Sequence, residues 1–171
     1  MRYAFFYLFP VAVAGVSVIM DIRTAKVDNG WIRFSMIMGL FICIWQKGIT
    51  GICYFIMGSM TPLFLVILFV FGMMGAGDIK LFCVLGGVLG PWAVLKCIFI
   101  SFAVGACIAA ALLIIHRNFC ERILYFIKYV ENTANTGKII PYRKKNISAP
   151  ENFHFTVPVF VSVLLYAGGI Y

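Results

Sequence analysis

Residues 52–74 read ICYFIMGSMTPLFLVILFVFGMM and contain no charged side chain. A transmembrane α-helix needs about 20 consecutive apolar residues, so this stretch is long enough to cross a bilayer. Similar apolar stretches lie on both sides of it, and hydrophobic residues make up 63% of the 171-residue chain. A soluble domain has nowhere to bury so much apolar surface. The sequence therefore predicts an all-α, polytopic membrane protein embedded in a lipid bilayer.

Six apolar segments are predicted to be transmembrane helices, and together they form a single domain over residues 1–171. They cover residues 3–20, 31–45, 52–74, 81–89, 92–115 and 153–171. Pro62 predicts a kink in the third segment, and Gly90-Pro91 predicts a turn after the fourth. The one long polar stretch, about residues 116–152, is predicted to form a cytoplasmic and interfacial segment.

The positive charges predict the orientation of these segments. With the N-terminus outside, eleven of the Lys and Arg residues fall on the inner side and three on the outer side. Short loops rich in Lys and Arg stay in the cytoplasm, so both termini are predicted to lie outside. This bias also explains the net charge of +8 without a nucleic-acid partner. The orientation requires an uncleaved first segment, which is expected because its apolar run continues to residue 20.

Acidic residues at the ends of the predicted segments are the candidate catalytic residues. Asp21, Asp28 and Asp78 are three of only six acids, and ionisable groups near the membrane interior are costly and usually functional. The predicted topology brings Asp21 and Asp78 to the same, inner face. Two carboxylates about 3 Å apart share one proton, so one activates water while the other protonates a peptide carbonyl. The pair predicts an aspartic hydrolase that needs no metal or cofactor.

Two glycines just before Asp78 favour the same interpretation. Gly75 and Gly77 lack a Cβ atom, so a substrate strand and a second aspartate can approach the backbone near Asp78. On the residues alone, an alternative is a glycine-rich turn in which Asp78 caps the next helix. The six cysteines form no C-x-x-C pair and are expected to be small buried residues. His116 and His154 stand alone in the sequence, and neither is predicted to be a base.

The residues around Asp78 resemble a known family. Gly75-Ala76-Gly77-Asp78 matches the G-x-G-D signature of intramembrane aspartic proteases. The longer string G-A-G-D-I-K-L, which includes Lys80, resembles the form found in type IV prepilin peptidases. The second motif of that family is an Asp at the end of a span, an Arg two residues later and an apolar-Pro-Asn triplet. The spacing of this motif is matched here by four residues: Asp21, Arg23, Val27 and Asn29. Asp28 stands where the family usually has the proline.

The resemblance implies an intramembrane endopeptidase that cuts the basic leader from prepilin-like membrane proteins. It implies that Asp21 and Asp78 are catalytic and that the reaction takes place at the cytoplasmic face of the inner membrane. The residues expected to support this site are Gly75, Gly77, Asn29, Arg23 and Lys80. Arg23 and Lys80 are expected either to orient the acids or to hold lipid phosphates, and simple anchoring at the inner face is the alternative.

The size of the chain indicates which members of the family it resembles. Larger members of the family carry a cytoplasmic insertion with paired C-x-x-C motifs and also methylate the new N-terminus. This chain has neither feature and is similar to the short members associated with tight-adherence pili, so peptidase activity without methylation is expected. The alternatives are a small membrane transporter and a non-catalytic assembly factor for a pilus or secretion system. The sequence leaves the oligomeric state open.

Overall fold

The computed structural model describes residues 2–116 and 154–170, and side chains within residues 7–111 and 154–170. Over these residues the chain is helical and has no strand, which confirms the predicted all-α class. The predicted interfacial segment, about residues 116–152, lies outside the described part except for His116, the last residue of a helix. The helices are α1 (Arg2–Thr24), α2 (Asn29–Lys47), α3 (Thr50–Met60), α4 (Val66–Val70), α5 (Ala76–Leu89), α6 (Pro91–His116) and α7 (Thr156–Ala167).

Three helical stretches in the described part are long and apolar enough to cross a membrane. They cover Tyr7–Thr24, Thr50–Val70 and Pro91–Ala111, and Thr156–Ala167 is a shorter apolar helix. Helix α5 has 14 residues, and at 1.5 Å per residue it is roughly 21 Å long, less than the bilayer core of about 30 Å. The fold therefore contains three candidate spans, and the six-span topology with both termini outside stays a prediction.

The end of α1 differs from the prediction. The apolar run was expected to end the helix at residue 20, but α1 continues to Thr24. The helix ends where Ala25 adopts a positive φ of 52°, and the backbone N–H of Ala25 donates to the carbonyl of Asp21 at 2.8 Å. The helix therefore ends with a single residue, Ala25, in the left-handed conformation, which is a common way for a helix to end. Asp21 therefore lies within the last turn of α1 rather than in the loop that follows.

The predicted kink and the predicted turn are both confirmed. Helix α3 ends at Met60, and a short 3₁₀ segment containing Pro62 separates it from α4. Proline interrupts the α-helical hydrogen bonds, which accounts for the change in helix type. Gly90 has a φ of 90°, and α6 begins at the next residue, Pro91. Proline is well suited to the first position of a helix because its φ is already helical.

Helix α5 lies at the centre of the bundle. Every residue from Leu81 to Leu89 is buried, and α5 packs against α1, α2, α3 and α6. A Cβ atom on Gly58 of α3 would collide with the backbone carbonyl of Gly86, so the two helices meet at their backbones. The ring of Tyr54 lies directly against Gly90. Gly86 and Gly90 are thus two small residues, four positions apart, at which another helix approaches closely.

The outer surface of the described bundle is apolar. Large side chains such as Trp92, Phe99 and Trp45 are 79%, 76% and 70% exposed. Surfaces of this kind are unusual on soluble monomers and suit contact with lipid.

The described cysteines lie both inside the bundle and on its surface. Cys43, Cys83 and Cys97 are buried, whereas Cys53 and Cys107 are exposed. The expectation of burial was therefore wrong for the last two, because a residue in an apolar run can face lipid as well as protein.

Candidate active site

Asp21 is held by the N-terminal end of the last described helix. Its Oδ2 atom lies 3.0 Å from Nδ1 of His154 and accepts a hydrogen bond of 2.8 Å from the hydroxyl of Thr156. The Asp21 side chain is 14% exposed and that of His154 is 30% exposed. Asp21 is thus a largely buried carboxylate with two polar partners, at the junction of α1 and α7.

These partners were missed at the level of sequence. His154 was predicted to stand alone, and this is wrong, because folding brings it to a carboxylate 133 positions away in the chain. A signal was nevertheless present in the charge distribution. The same count of Lys and Arg that predicts Asp21 and Asp78 on the inner face also predicts that the last span begins there, at residue 153. His154 and Thr156 are therefore expected at the depth of Asp21.

Asp78 occupies the first turn of the central helix α5. The residue before that helix is Gly75, and the backbone N–H of Asp78 donates to the Gly75 carbonyl at 3.2 Å. The side chain of Asp78 folds back over Gly75, with Oδ2 3.2 Å from the position that a Cβ atom there would take. Gly75 is the N-cap residue and Asp78 stands three positions later, the place from which an acidic side chain caps a helix start in a capping box, so a capping role for Asp78 is compatible with the structure. A carboxylate in this turn is stabilised by the helix dipole.

Two contacts join the start of α5 to the connection that follows Asp21. The ammonium of Lys80 donates to the side-chain oxygen of Asn29 at 2.7 Å. One turn earlier, Gly77 faces Val27, whose Cβ lies 3.8 Å from the position of an added Cβ atom. The two motifs, separated by about fifty positions in the chain, therefore lie side by side. Lys80 therefore links α5 to α2 through this hydrogen bond.

The glycines of the motif do not supply a left-handed turn. Gly75 has a φ of −76°, which any residue can adopt. The positive φ in this region belongs to Gly72, at 68°, where α4 has ended and the chain turns toward α5. Only Gly72 is therefore required for its backbone conformation. Gly75 matters because its missing Cβ leaves space for the Asp78 carboxylate.

Arg23 and Asp28 both lie on the exposed rim of this region. Arg23 is in the last turn of α1, where a positive charge interacts favourably with the helix dipole. Asp28 precedes α2 and makes no side-chain capping hydrogen bond, although its carbonyl accepts from the N–H of Ile32 at 3.2 Å. Its exposure contrasts with the burial of the Asp21 side chain.

Asp21 and His154 are two groups of the kind that bind metals, and a zinc site has three or four protein ligands. Across residues 7–111 and 154–170, no three His, Cys, Asp or Glu side chains gather in one place. In this part of the chain Asp21 has an imidazole and a hydroxyl group as partners.

The fold and these residues define a helical membrane protein with a polar, acid-containing site between helix ends. Comparison with known families agrees with that class, since the model of the type IV leader peptidase family matches residues 7–110. The match covers more than half of the chain, and the chain belongs to this family of peptidases. It includes Asp21 and Asp78, whereas His154 and Thr156 lie beyond it. No curated protein and no solved structure matches the chain.

Proposed function

We propose that this protein is an aspartic endopeptidase that removes the basic leader from prepilin-like membrane proteins. Asp21 and Asp78 form the catalytic dyad of the proposal. The observation that carries it is the packing of the helix start that bears Asp78 against the connection that follows Asp21. Lys80 with Asn29, and Gly77 with Val27, form that packing. Family membership favours a peptidase over the transporter alternative.

The chemistry follows from two carboxyl groups that share one proton. The ionised carboxylate takes a proton from water as the water oxygen bonds to the carbonyl carbon of the scissile peptide. The protonated partner donates its proton to the carbonyl oxygen, which gives a tetrahedral diol. The diol then collapses: the C–N bond breaks, the leaving nitrogen takes from the first acid the proton that came from water, and a diol hydroxyl returns its proton to the second acid as the carbonyl re-forms. All atoms come from peptide, water and the two acids.

The topology belongs to the same proposal. Six spans with both termini outside place the ends that carry Asp21 and Asp78 at the cytoplasmic face of the inner membrane. A leader rich in basic residues would meet this face before its apolar helix enters the bilayer. The substrate is thus a membrane protein with a short basic leader directly before one hydrophobic helix. The C-x-x-C insertion is absent from the sequence, so the new N-terminus is proposed to stay unmethylated.

The test uses a reporter membrane protein with a short Lys-rich leader, one apolar helix and a C-terminal epitope tag. It is expressed together with the protein, and cleavage is followed by the size of the tagged product. Asp21→Asn and Asp78→Asn are expected to lower the cleavage rate at least about a hundredfold, since each removes a proton-transfer group. Mass spectrometry of the product identifies the cleaved bond and shows whether the N-terminus carries a methyl group.

Asp28→Asn is the matched control, because Asp28 is an exposed acid in the same connection. Its cleavage rate is expected to stay within about twofold of the unchanged protein, in line with other surface substitutions. Retained cleavage by Asp78→Asn would overturn the dyad. A protein that never cleaves any reporter, yet supports pilus or secretion assembly, would point instead to the non-catalytic assembly factor.

A further inference from the structure

Asp21 receives both of its described hydrogen-bonding partners on a single oxygen atom. Nδ1 of His154 and the hydroxyl of Thr156 both contact Oδ2, at 3.0 and 2.8 Å. Within the described part of the chain, no hydrogen bond reaches the other oxygen, Oδ1. The start of α7 thus holds the carboxylate at one oxygen.

The two partners belong to a rigid part of the fold. Thr156 is the first residue of α7 and is fully buried, with 0% exposure. His154 precedes it by two residues, and its carbonyl accepts the backbone N–H of Val157 at 3.1 Å. Helix α7 packs against both α1 and α6. The donors are therefore fixed relative to Asp21 by helix packing rather than by a long side chain in solvent.

We propose that His154 and Thr156 are positioning residues that orient the Asp21 carboxylate for the dyad. This inference rests on the proposed function. The site of this peptidase accordingly extends beyond the family match, which ends at residue 110, and includes the start of α7.

Hydrogen bonding at Asp21 supports this role. The Thr156 hydroxyl donates to Oδ2, and Nδ1 of His154 lies at hydrogen-bond distance from the same atom. Two partners at one oxygen, both at the start of α7, limit the rotation of the carboxylate. No acidic residue occupies the first turn of α7, so Asp21 meets no like charge from that helix start.

The test compares pairs of variants that remove or keep each donor. Thr156→Val removes the hydroxyl at nearly constant volume, whereas Thr156→Ser keeps it. His154→Leu removes the ring nitrogen, whereas His154→Asn keeps an N–H donor near the position of Nδ1. Steady-state cleavage of the Lys-rich reporter is measured with purified protein in detergent. Thermal unfolding of each variant is measured in the same detergent.

Removing either donor is expected to lower kcat about tenfold to a hundredfold, because a misplaced carboxylate loses the attack geometry. KM is expected to stay within about twofold, since neither residue is proposed to touch the substrate. The Ser and Asn variants are expected to recover most of kcat. Ser101→Ala is the control, because it removes a fully buried hydroxyl that also bonds to α7, at Ser162, and it should leave kcat unchanged.

The outcomes separate this inference from the proposed function. Full activity of Thr156→Val and His154→Leu, with Asp21→Asn inactive, would overturn the positioning role and leave the dyad intact. Equal loss in Thr156→Val and Thr156→Ser, with a lower unfolding temperature in both, would reduce Thr156 to a packing residue and also overturn it. Cleavage retained by Asp21→Asn would instead remove the proposed function itself.

Discussion

The ammonium of Lys80 donates a 2.7 Å hydrogen bond to the side-chain amide oxygen of Asn29. Lys80 lies in the second turn of the central helix α5, and Asn29 is the first residue of α2. One side-chain contact therefore joins the two sequence motifs at their helix starts. Both residues are exposed, so the contact is more important for alignment than for stability.

Lys80→Met and Asn29→Ala are expected to lower reporter cleavage by about three- to tenfold each, because alignment of reacting groups is sensitive to small shifts. The double variant should be no slower than the slower single variant, since both changes remove the same contact. Unfolding free energy should fall by no more than about 1 kcal/mol. Lys96→Met, at an exposed lysine on the predicted outer side, is the control and should cleave normally. Additive losses in the double variant would show that the two residues act separately.

The two glycines of the G-x-G-D motif are expected to respond differently to alanine. In Gly75→Ala the new Cβ would lie 3.2 Å from Oδ2 of Asp78, which forces the carboxylate to move. Cleavage should fall at least about tenfold. In Gly77→Ala the nearest atom is 3.8 Å away, and Gly77 is helical, so stability should hold or rise by up to about 1 kcal/mol.

If Gly77→Ala keeps its stability but loses activity, the reason would be that the added methyl group occupies space that a substrate strand needs. We expect such a loss, with KM rising more than kcat falls, because the substituted position lies outside the dyad. Unfolding in detergent and steady-state cleavage of the reporter check both expectations. A normal KM in Gly77→Ala would contradict a close approach of substrate at this position.

Close packing of α3 on α5 predicts a strong effect on stability at Gly58. A Cβ atom there would overlap the carbonyl of Gly86, which belongs to the backbone of α5 and cannot rotate away as a side chain can. Gly58→Ala should destabilise the protein by about 1–3 kcal/mol, the usual cost of overpacking. Gly168→Ala is the control, because its added Cβ would meet only ordinary contacts at 3.4 Å or more. An unchanged unfolding temperature for Gly58→Ala would contradict the close approach of the two helices.

Membrane topology can be tested with single cysteines. In a variant whose six native cysteines are replaced, Lys26→Cys and Lys47→Cys introduce thiols at two exposed positions on opposite predicted sides. A membrane-impermeant maleimide should label Lys47→Cys in intact cells and Lys26→Cys only in inverted vesicles. The opposite pattern would reverse the proposed orientation. Labelling of both from one side would mean that α2 does not span the membrane.

Chelators distinguish a two-acid mechanism from metal-assisted hydrolysis. The proposed dyad moves protons between water, peptide and two carboxyl groups, so cleavage of the reporter should be unaffected by EDTA. The measurement is the initial rate in detergent before and after incubation with the chelator. Loss of activity that zinc restores would contradict the proposed mechanism.

Local sequence determined much of this protein. The apolar runs predicted the helices and the all-α class, because helix length and burial in lipid depend on composition alone. Pro62 and Gly90-Pro91 predicted the interruptions, since their backbone restrictions are intrinsic. The motifs around Asp21 and Asp78 predicted the family, which the match over residues 7–110 bears out.

Other features depended on contacts between distant residues. The sequence located Asp21 at the end of an apolar run, but only the fold shows that the carboxylate meets His154 and Thr156, more than 130 positions away. Likewise, the spacing of Lys80 and Asn29 in the chain contains no sign of their hydrogen bond. Composition and periodicity describe each helix by itself. Which helix ends meet is decided by packing between helices, and the partners of Asp21 follow from the packing of α7 against α1.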